Sequence, residues 1–255
     1  MSDQTELAVE GLTKRFGGIV ASDTITLRLP PGELHAIIGP NGAGKTTLIG
    51  QLTGEITPDS GSIRFADRDI TALPVYARSQ LGLARSFQIT SLFGGFSALD
   101  NAALAVQAHA GHSFRFWRDA RRETALREPA RTALAQAGLA DRADVPIGDL
   151  SHGERRQLEI AMALATGPRM LLLDEPMAGM GPEESARLVG MLRALKGSVT
   201  ILLIEHDMDA VFALADRISV LVYGRIIASG DADAIRADAA VRQAYLGERE
   251  EAAHG

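Results

Sequence analysis

Apolar and polar residues are spaced in three different ways along the chain. From Leu7 to about Phe65 the pattern is strand-like. It runs through Leu7-Ala8-Val9, the alternating Ile25-Thr26-Leu27-Arg28-Leu29, and Ser62-Ile63-Arg64-Phe65 after the turn Pro58-Asp59-Ser60-Gly61. Within this region Leu34-His35-Ala36-Ile37-Ile38 is short, apolar and β-branched, as a buried parallel strand should be, and Thr46-Thr47-Leu48-Ile49 begins a helix. From about Ile89 to Leu164 strand signals fade, and alanine, leucine and arginine dominate, as in Ala102-Ala103-Leu104-Ala105-Val106 and Thr132-Ala133-Leu134-Ala135. Two apolar runs follow, Met170-Leu171-Leu172-Leu173 and Thr200-Ile201-Leu202-Leu203-Ile204, separated by a helix-like Glu183 to Leu195. Ile218-Ser219-Val220-Leu221-Val222 and Arg225-Ile226-Ile227-Ala228, joined at Tyr223-Gly224, read as a hairpin. The whole predicts an α/β domain over residues 5–247 with a parallel-sheet core, an antiparallel β subdomain and a helical subdomain at about 89–164. Residues 248–255 are expected to fray.

Composition narrows the class. The hydrophobic fraction of 46% is ordinary for a globular protein, and no uncharged apolar run approaches the ~20 residues that span a bilayer. The opening residues, MSDQTELAVE, have neither a basic start nor an apolar signal core, so a cytoplasmic location is expected. With no cysteine, the chain has no disulfide, thiolate zinc site or cysteine nucleophile. A net charge of −6 argues against a dedicated nucleic-acid binder, which needs clustered lysine and arginine. The segment His112 to Arg122, HSFRFWRDARR, is a local exception. It reads as a solvated amphipathic helix, with lipid head groups or a membrane-protein loop as the alternative contact.

The chemistry begins at Gly39-Pro40-Asn41-Gly42-Ala43-Gly44-Lys45-Thr46-Thr47, between a strand and a helix. Glycines let successive N–H groups surround an anion at a positive helix N-terminus, and the string fits G-x-x-x-x-G-K-[ST]. Lys45 would reach the β- and γ-phosphates of a nucleotide triphosphate, and the Thr46 hydroxyl would bind Mg²⁺. Further on, Asp174 and Glu175 follow the apolar run Leu171-Leu172-Leu173 at the end of a parallel strand, where ligands usually bind. Asp174 would hold Mg²⁺ through its shell, and Glu175 would polarise the attacking water. In Leu150-Ser151-His152-Gly153-Glu154, Ser151 and Glu154 are spaced as a capping box. Such a helix start also presents N–H groups to a phosphate, one bound by another subunit.

With phosphate loop, LSHGE and LLLDEP in this order, essentially the whole chain resembles the ATP-binding cassette (ABC) family of transport ATPases, whose signature is usually written LSGGQ. The resemblance implies a P-loop NTPase core and two cassettes packed head to tail. Each ATP would lie between residues 39–47 of one subunit and the signature residues Ser151, Gly153 and Glu154 of the other. It implies three further roles. Gln88 in Arg85-Ser86-Phe87-Gln88 matches the glutamine loop that senses Mg²⁺ and water, His206 the switch histidine at the γ-phosphate, and Phe16 the aromatic stacked on adenine. Two departures stand out. His152 and Glu154 replace the commoner glycine and glutamine, and Met177-Ala178-Gly179-Met180-Gly181-Pro182 lacks the aspartate that many cassettes carry there.

Ser91-Leu92-Phe93-Gly94-Gly95-Phe96-Ser97, the Ala178-Gly179-Met180 loop and the ending Ala244-Tyr245-Leu246-Gly247 resemble the branch serving importers of branched-chain and other hydrophobic amino acids. By that resemblance the partners are a second cassette, two membrane permease subunits and, indirectly, a substrate-binding protein, with the ATPase peripheral on the inner face of the membrane. Importers of urea, amides or aromatic acids and exporters of lipid or lipopolysaccharide are similar alternatives. A nucleic-acid ABC ATPase would bring long coiled-coil heptads, a second cassette or zinc-ligand cysteines, which are lacking here; a P-loop kinase would lack LSHGE and His206.

Overall fold

A computed structural model describes residues 5–86, 92–110 and 123–244. Along the chain run β1 (Leu7–Phe16), β2 (Ile19–Leu29), β3 (Leu34–Ile38), α1 (Lys45–Thr53), β4 (Ser60–Phe65), β5 (Arg68–Asp69), α2 (Val75–Gln80) and β6 (Leu83–Arg85). Then come α3 (Ala98–Ala110), α4 (Thr124–Gln136), α5 (His152–Ala165), β7 (Met170–Asp174) and α6 (Pro182–Leu195). The last elements are β8 (Thr200–Ile204), α7 (Met208–Leu214), β9 (Arg217–Val222), β10 (Arg225–Gly230) and α8 (Ala232–Ala237). They form two compact units, one from Met1–Arg78 with Lys196–Gly255, the other Ser79–Leu195. The second unit is wider than the helical subdomain expected at about 89–164, because β6, β7 and α6 belong to it. The expected frayed tail, Gln88 and the His112–Arg122 segment lie outside the described residues.

In the first unit β2, β1, β4 and β5 form an antiparallel sheet in that order. Leu7 pairs with Leu29 and with Phe65, and Val9 with Leu27 and Ile63, so one face of each strand is apolar and buried. A second set of strands centres on β3, which runs parallel to β8 and β9, with β10 closing the predicted hairpin. All five residues of β3 and of β8 are buried, which explains their continuous apolar runs. Val211 of α7 and Ile235 of α8 pack on Ala36, Ile38, Ile218 and Val220, each such side chain contributing ~1.5–3 kcal/mol by leaving water. Two buried basic side chains of this unit find their partners close by. His35, fully buried, places Nδ1 2.8 Å from Glu33 Oε1 and Nε2 2.9 Å from Ser219 Oγ. The buried Arg78 guanidinium donates to the carbonyls of Gln51 and Leu52, both at 2.7 Å, anchoring the far end of α1.

In the second unit α3, α4 and α5 pack together, burying Leu99, Ala102, Leu126, Ala130, Leu134, Leu158 and Ala161. β6 pairs in parallel with β7, Leu83 against Met170 and Arg85 against Leu172. Every residue of β7 is buried, Asp174 at its end included, and the half-buried Glu175 follows directly after the strand.

Candidate active site

The phosphate loop leaves β3 and enters α1 in the first unit. Its shape requires glycine at two points. A Cβ on Gly39 would lie 2.0 Å from the Leu221 carbonyl oxygen, and one on Gly44, whose φ is 105°, would lie 2.2 Å from that of Ala21. The loop is thus wedged against β9 on one side and β2 on the other, and the Gly224 N–H fixes it by donating to the Ala43 carbonyl at 2.8 Å. Gly44 caps α1 without a side chain, so no cap side chain competes for the first-turn N–H groups. Lys45 is buried and folds onto its own loop, donating to the carbonyls of Gly39 and, at 3.0 Å, Pro40. Asn41, Gly42 and Thr46 are exposed, Thr47 is half-buried, and Ala43 is buried beneath them.

Two more predicted residues belong to this unit. Ile37 of β3 is level with Ile204 of β8, so the chain segments carrying Gly39 and His206 leave adjacent parallel strands at the same end. The His206 ring is exposed, with Nδ1 3.8 Å from the buried Glu205 carboxylate, which also accepts the His206 N–H at 3.1 Å. Glu205 went unremarked in the sequence because a carboxylate next to a histidine has no local mark of burial. Phe16 ends β1 with 48% of its surface exposed, and Lys14 Nζ lies 5.5 Å from its ring centroid. An exposed aromatic ring is what base stacking needs and a core residue lacks.

The carboxylates and the signature belong to the second unit. Asp174 is buried, with Oδ2 3.2 Å from Arg85 Nη2 on the neighbouring strand. Sequence reasoning passed over Arg85. It carries no local signal, because its strand is three residues long and its partner is 89 residues away. Glu175 has φ +47°, a left-handed conformation that an L-residue with a Cβ adopts at a cost of ~1–2 kcal/mol. The capping box is formed: the Glu154 N–H donates to Ser151 Oγ at 3.2 Å, and the Ser151 N–H donates to Glu154 Oε2 at 2.8 Å. The Glu154 carboxylate also pairs with Arg142 Nε at 2.9 Å, so that side chain is engaged within its own unit. The Gly153 N–H donates at 3.0 Å to Oε1 of Glu184 in the first turn of α6. The Glu184 carboxyl is held below its ordinary range, first by this N–H and then by the Gly181 N–H, the Ser151 hydroxyl and the neighbouring His152.

Residues 22–178 match the family described as ABC transporter, and residues 225–251 match the branched-chain amino acid ATP-binding cassette transporter family. The high-affinity branched-chain amino acid transport ATP-binding protein LivG of Escherichia coli K12 is 38% identical, over 96% of this chain and 99% of that protein. BraF of Pseudomonas aeruginosa, with the same description, is 39% identical over 95% of this chain and 98% of its own. Among solved structures, the ADP conformation of MJ1267, an ATP-binding cassette of an ABC transporter, superposes with a TM-score of 0.83 at 30% identity, covering 95% and 99% of the two chains. A glycine-shaped anion loop at a helix start, an acidic strand end, a capped signature helix and these full-length matches converge. The chain belongs to the ABC transporter family, as an ATP-hydrolysing subunit of the branched-chain amino acid transport branch.

Proposed function

We propose that this ATPase powers import of branched-chain or other hydrophobic amino acids, working as one of two cassettes beneath two permease subunits fed by a substrate-binding protein. The match of residues 225–251 to the branched-chain amino acid family supports the solute class. The left-handed backbone of Glu175, directly after Asp174, is the observation that best supports hydrolysis at this strand end. In this reading Phe16 stacks on adenine, the N–H groups of residues 39–47 and the Lys45 ammonium hold the β- and γ-phosphates, and His206 touches the γ-phosphate. Glu175 accepts a proton from water as the water attacks the γ-phosphorus, and the bond to the bridging oxygen breaks to release ADP and phosphate. Ser151 and Gly153 serve the phosphate of a second cassette. Thr46, Asp174 and Gln88 are oxygen donors, the set that suits Mg²⁺ when most of its shell is phosphate and water. Held there, Mg²⁺ would supply charge neutralisation to the phosphates.

No described helix is long and apolar enough to cross a membrane, so attachment to the inner face of the membrane would run through the permeases. The test is reconstitution with the two neighbouring permeases and the binding protein in liposomes. Leucine, isoleucine or valine should stimulate ATPase activity and accumulate inside. Stimulation by urea, short amides, aromatic acids or lipid instead would overturn the solute assignment. Activity indifferent to all of them would overturn the importer reading.

A further inference from the structure

One carboxylate bridges two helix starts in the second unit. Glu184 Oε2 accepts the Gly181 N–H at 3.4 Å, the backward reach of an acid at the third position of its own helix α6. Its other oxygen, Oε1, accepts the Gly153 N–H at 3.0 Å and the Ser151 hydroxyl at 3.3 Å. These are the two signature groups assigned to a partner's nucleotide phosphate. Gly153 permits the approach, since a Cβ there would stand 2.6 Å from Oε1 and 2.7 Å from the carboxyl carbon. A negatively charged oxygen therefore sits on donors that the catalytic cycle needs for a phosphate. Two anions cannot share one pair of donors, because each desolvates and repels the other.

We infer that Glu184 is a positioning residue that holds the signature donors for the nucleotide-free subunit and must yield them to phosphate when two cassettes close on ATP. This rests on the reading of Ser151 and Gly153 as phosphate donors to a second cassette. The carboxylate has somewhere to stay when it yields, because Oε2 remains on its own helix start. The exchange raises the threshold for closure, and it supplies an anion that reoccupies the donors once phosphate leaves. Neutralising the side chain lowers that threshold. Glu184 is half-exposed, so the effect is modest, about two- to tenfold in the ATP-driven association constant and weaker at high salt.

The experiment uses the full chain carrying Glu175→Gln to suppress hydrolysis, with and without Glu184→Gln. Two measurements are made. Sedimentation with ATP-Mg²⁺ reads association, and the ¹⁵N shift of the Gly153 amide reads inorganic phosphate binding at the signature itself. Glu184→Gln should strengthen association two- to tenfold and shift the phosphate titration of Gly153 to correspondingly lower concentration. Nucleotide affinity of the dilute monomer should not change. A merely structural clamp would lower the melting temperature in the variant without moving the phosphate titration, and that result overturns the inference. If neither protein associates with ATP, the two-cassette reading fails, and the Gly153 titration still decides: equal midpoints in the two proteins overturn the role given to Glu184.

Discussion

Glu175 stores conformational energy where catalysis is assigned, and the two effects separate in a pair of variants. With φ at +47°, the residue sits in the left-handed region at ~1–2 kcal/mol above an ordinary conformation. Glu175→Gly relieves that cost but gives the unfolded chain extra freedom worth about 0.5–1 kcal/mol. The net gain is up to ~1.5 kcal/mol, which for a chain of 255 residues corresponds to up to roughly 6 °C in melting temperature. Glu175→Gln keeps the Cβ and therefore the strain, so its melting temperature should stay within about 1 °C of the parent. Both variants lose the carboxylate, and hydrolysis should fall by about 10²–10⁴-fold in each. Calorimetry and a phosphate-release assay on the same preparations give the two readings. If Glu175→Gly melts below Glu175→Gln, the backbone is not strained there. Parent-like turnover in Glu175→Gln would remove Glu175 as the base.

Lys45→Ala should abolish hydrolysis and greatly weaken triphosphate binding, since it removes the loop's side-chain cation; near-normal turnover would end the phosphate-loop assignment. Phe16→Ala should cost adenine-nucleotide affinity about 1–3 kcal/mol while Phe16→Trp retains it, with little change in melting temperature because the ring is exposed; fluorescent-nucleotide titration compares them. Arg85→Met leaves the buried Asp174 without this partner and should destabilise the fold by about 3–5 kcal/mol, most of it recovered in Arg85→Met/Asp174→Asn; additive losses in calorimetry would disprove the pairing. Acid sensitivity follows from three carboxyls held below their ordinary range: Asp59, by the Lys14 ammonium first; Asp69, by the Thr71 hydroxyl; and Glu184, by the Gly153 N–H. A depressed folded pKa stabilises fully above the unfolded value of about 4 and is lost as pH falls through the folded one, so the melting temperature should drop below about pH 4. Glu184→Gln should shrink that drop; an unchanged acid limb would contradict the geometry at Gly153.

How much of this was legible depended on how local each cause is. β3, β7 and β8 announce themselves because burial on both faces demands an unbroken apolar run. The phosphate loop is legible because its donors fall within nine consecutive residues. β6 is three residues long and exists through pairing with β7, so its own composition carries no strand signal. The same non-local register hides Arg85: nothing near it in sequence says that Leu172 will lie opposite and Asp174 just beyond. Glu184 reads simply as an acid in the first turn of a helix, which it is. Its second engagement, on α5, needs the helix starts side by side. The positive φ of Glu175 is equally silent, since glutamate, unlike glycine or asparagine, does not advertise it.

The altered signature can be judged on the same physical footing. His152 is the first helical residue of α5 with its side chain exposed, a position where glycine is not required for backbone reasons. Glu154 stands at the third position, where a capping box accepts glutamate and glutamine alike, because either side chain offers an oxygen to the cap N–H. The observed 2.8 Å bond to the Ser151 N–H and the 3.2 Å return bond to Ser151 Oγ are the geometry that glutamine would give. What glutamate adds is a negative charge beside the donors proposed to serve phosphate. Arg142 offsets it at 2.9 Å, within the same unit. The two replacements therefore leave the Ser151 backbone and hydroxyl in a complete capping box. The electrostatic cost of Glu154 is met by a residue that neither the phosphate loop nor the signature pattern contains.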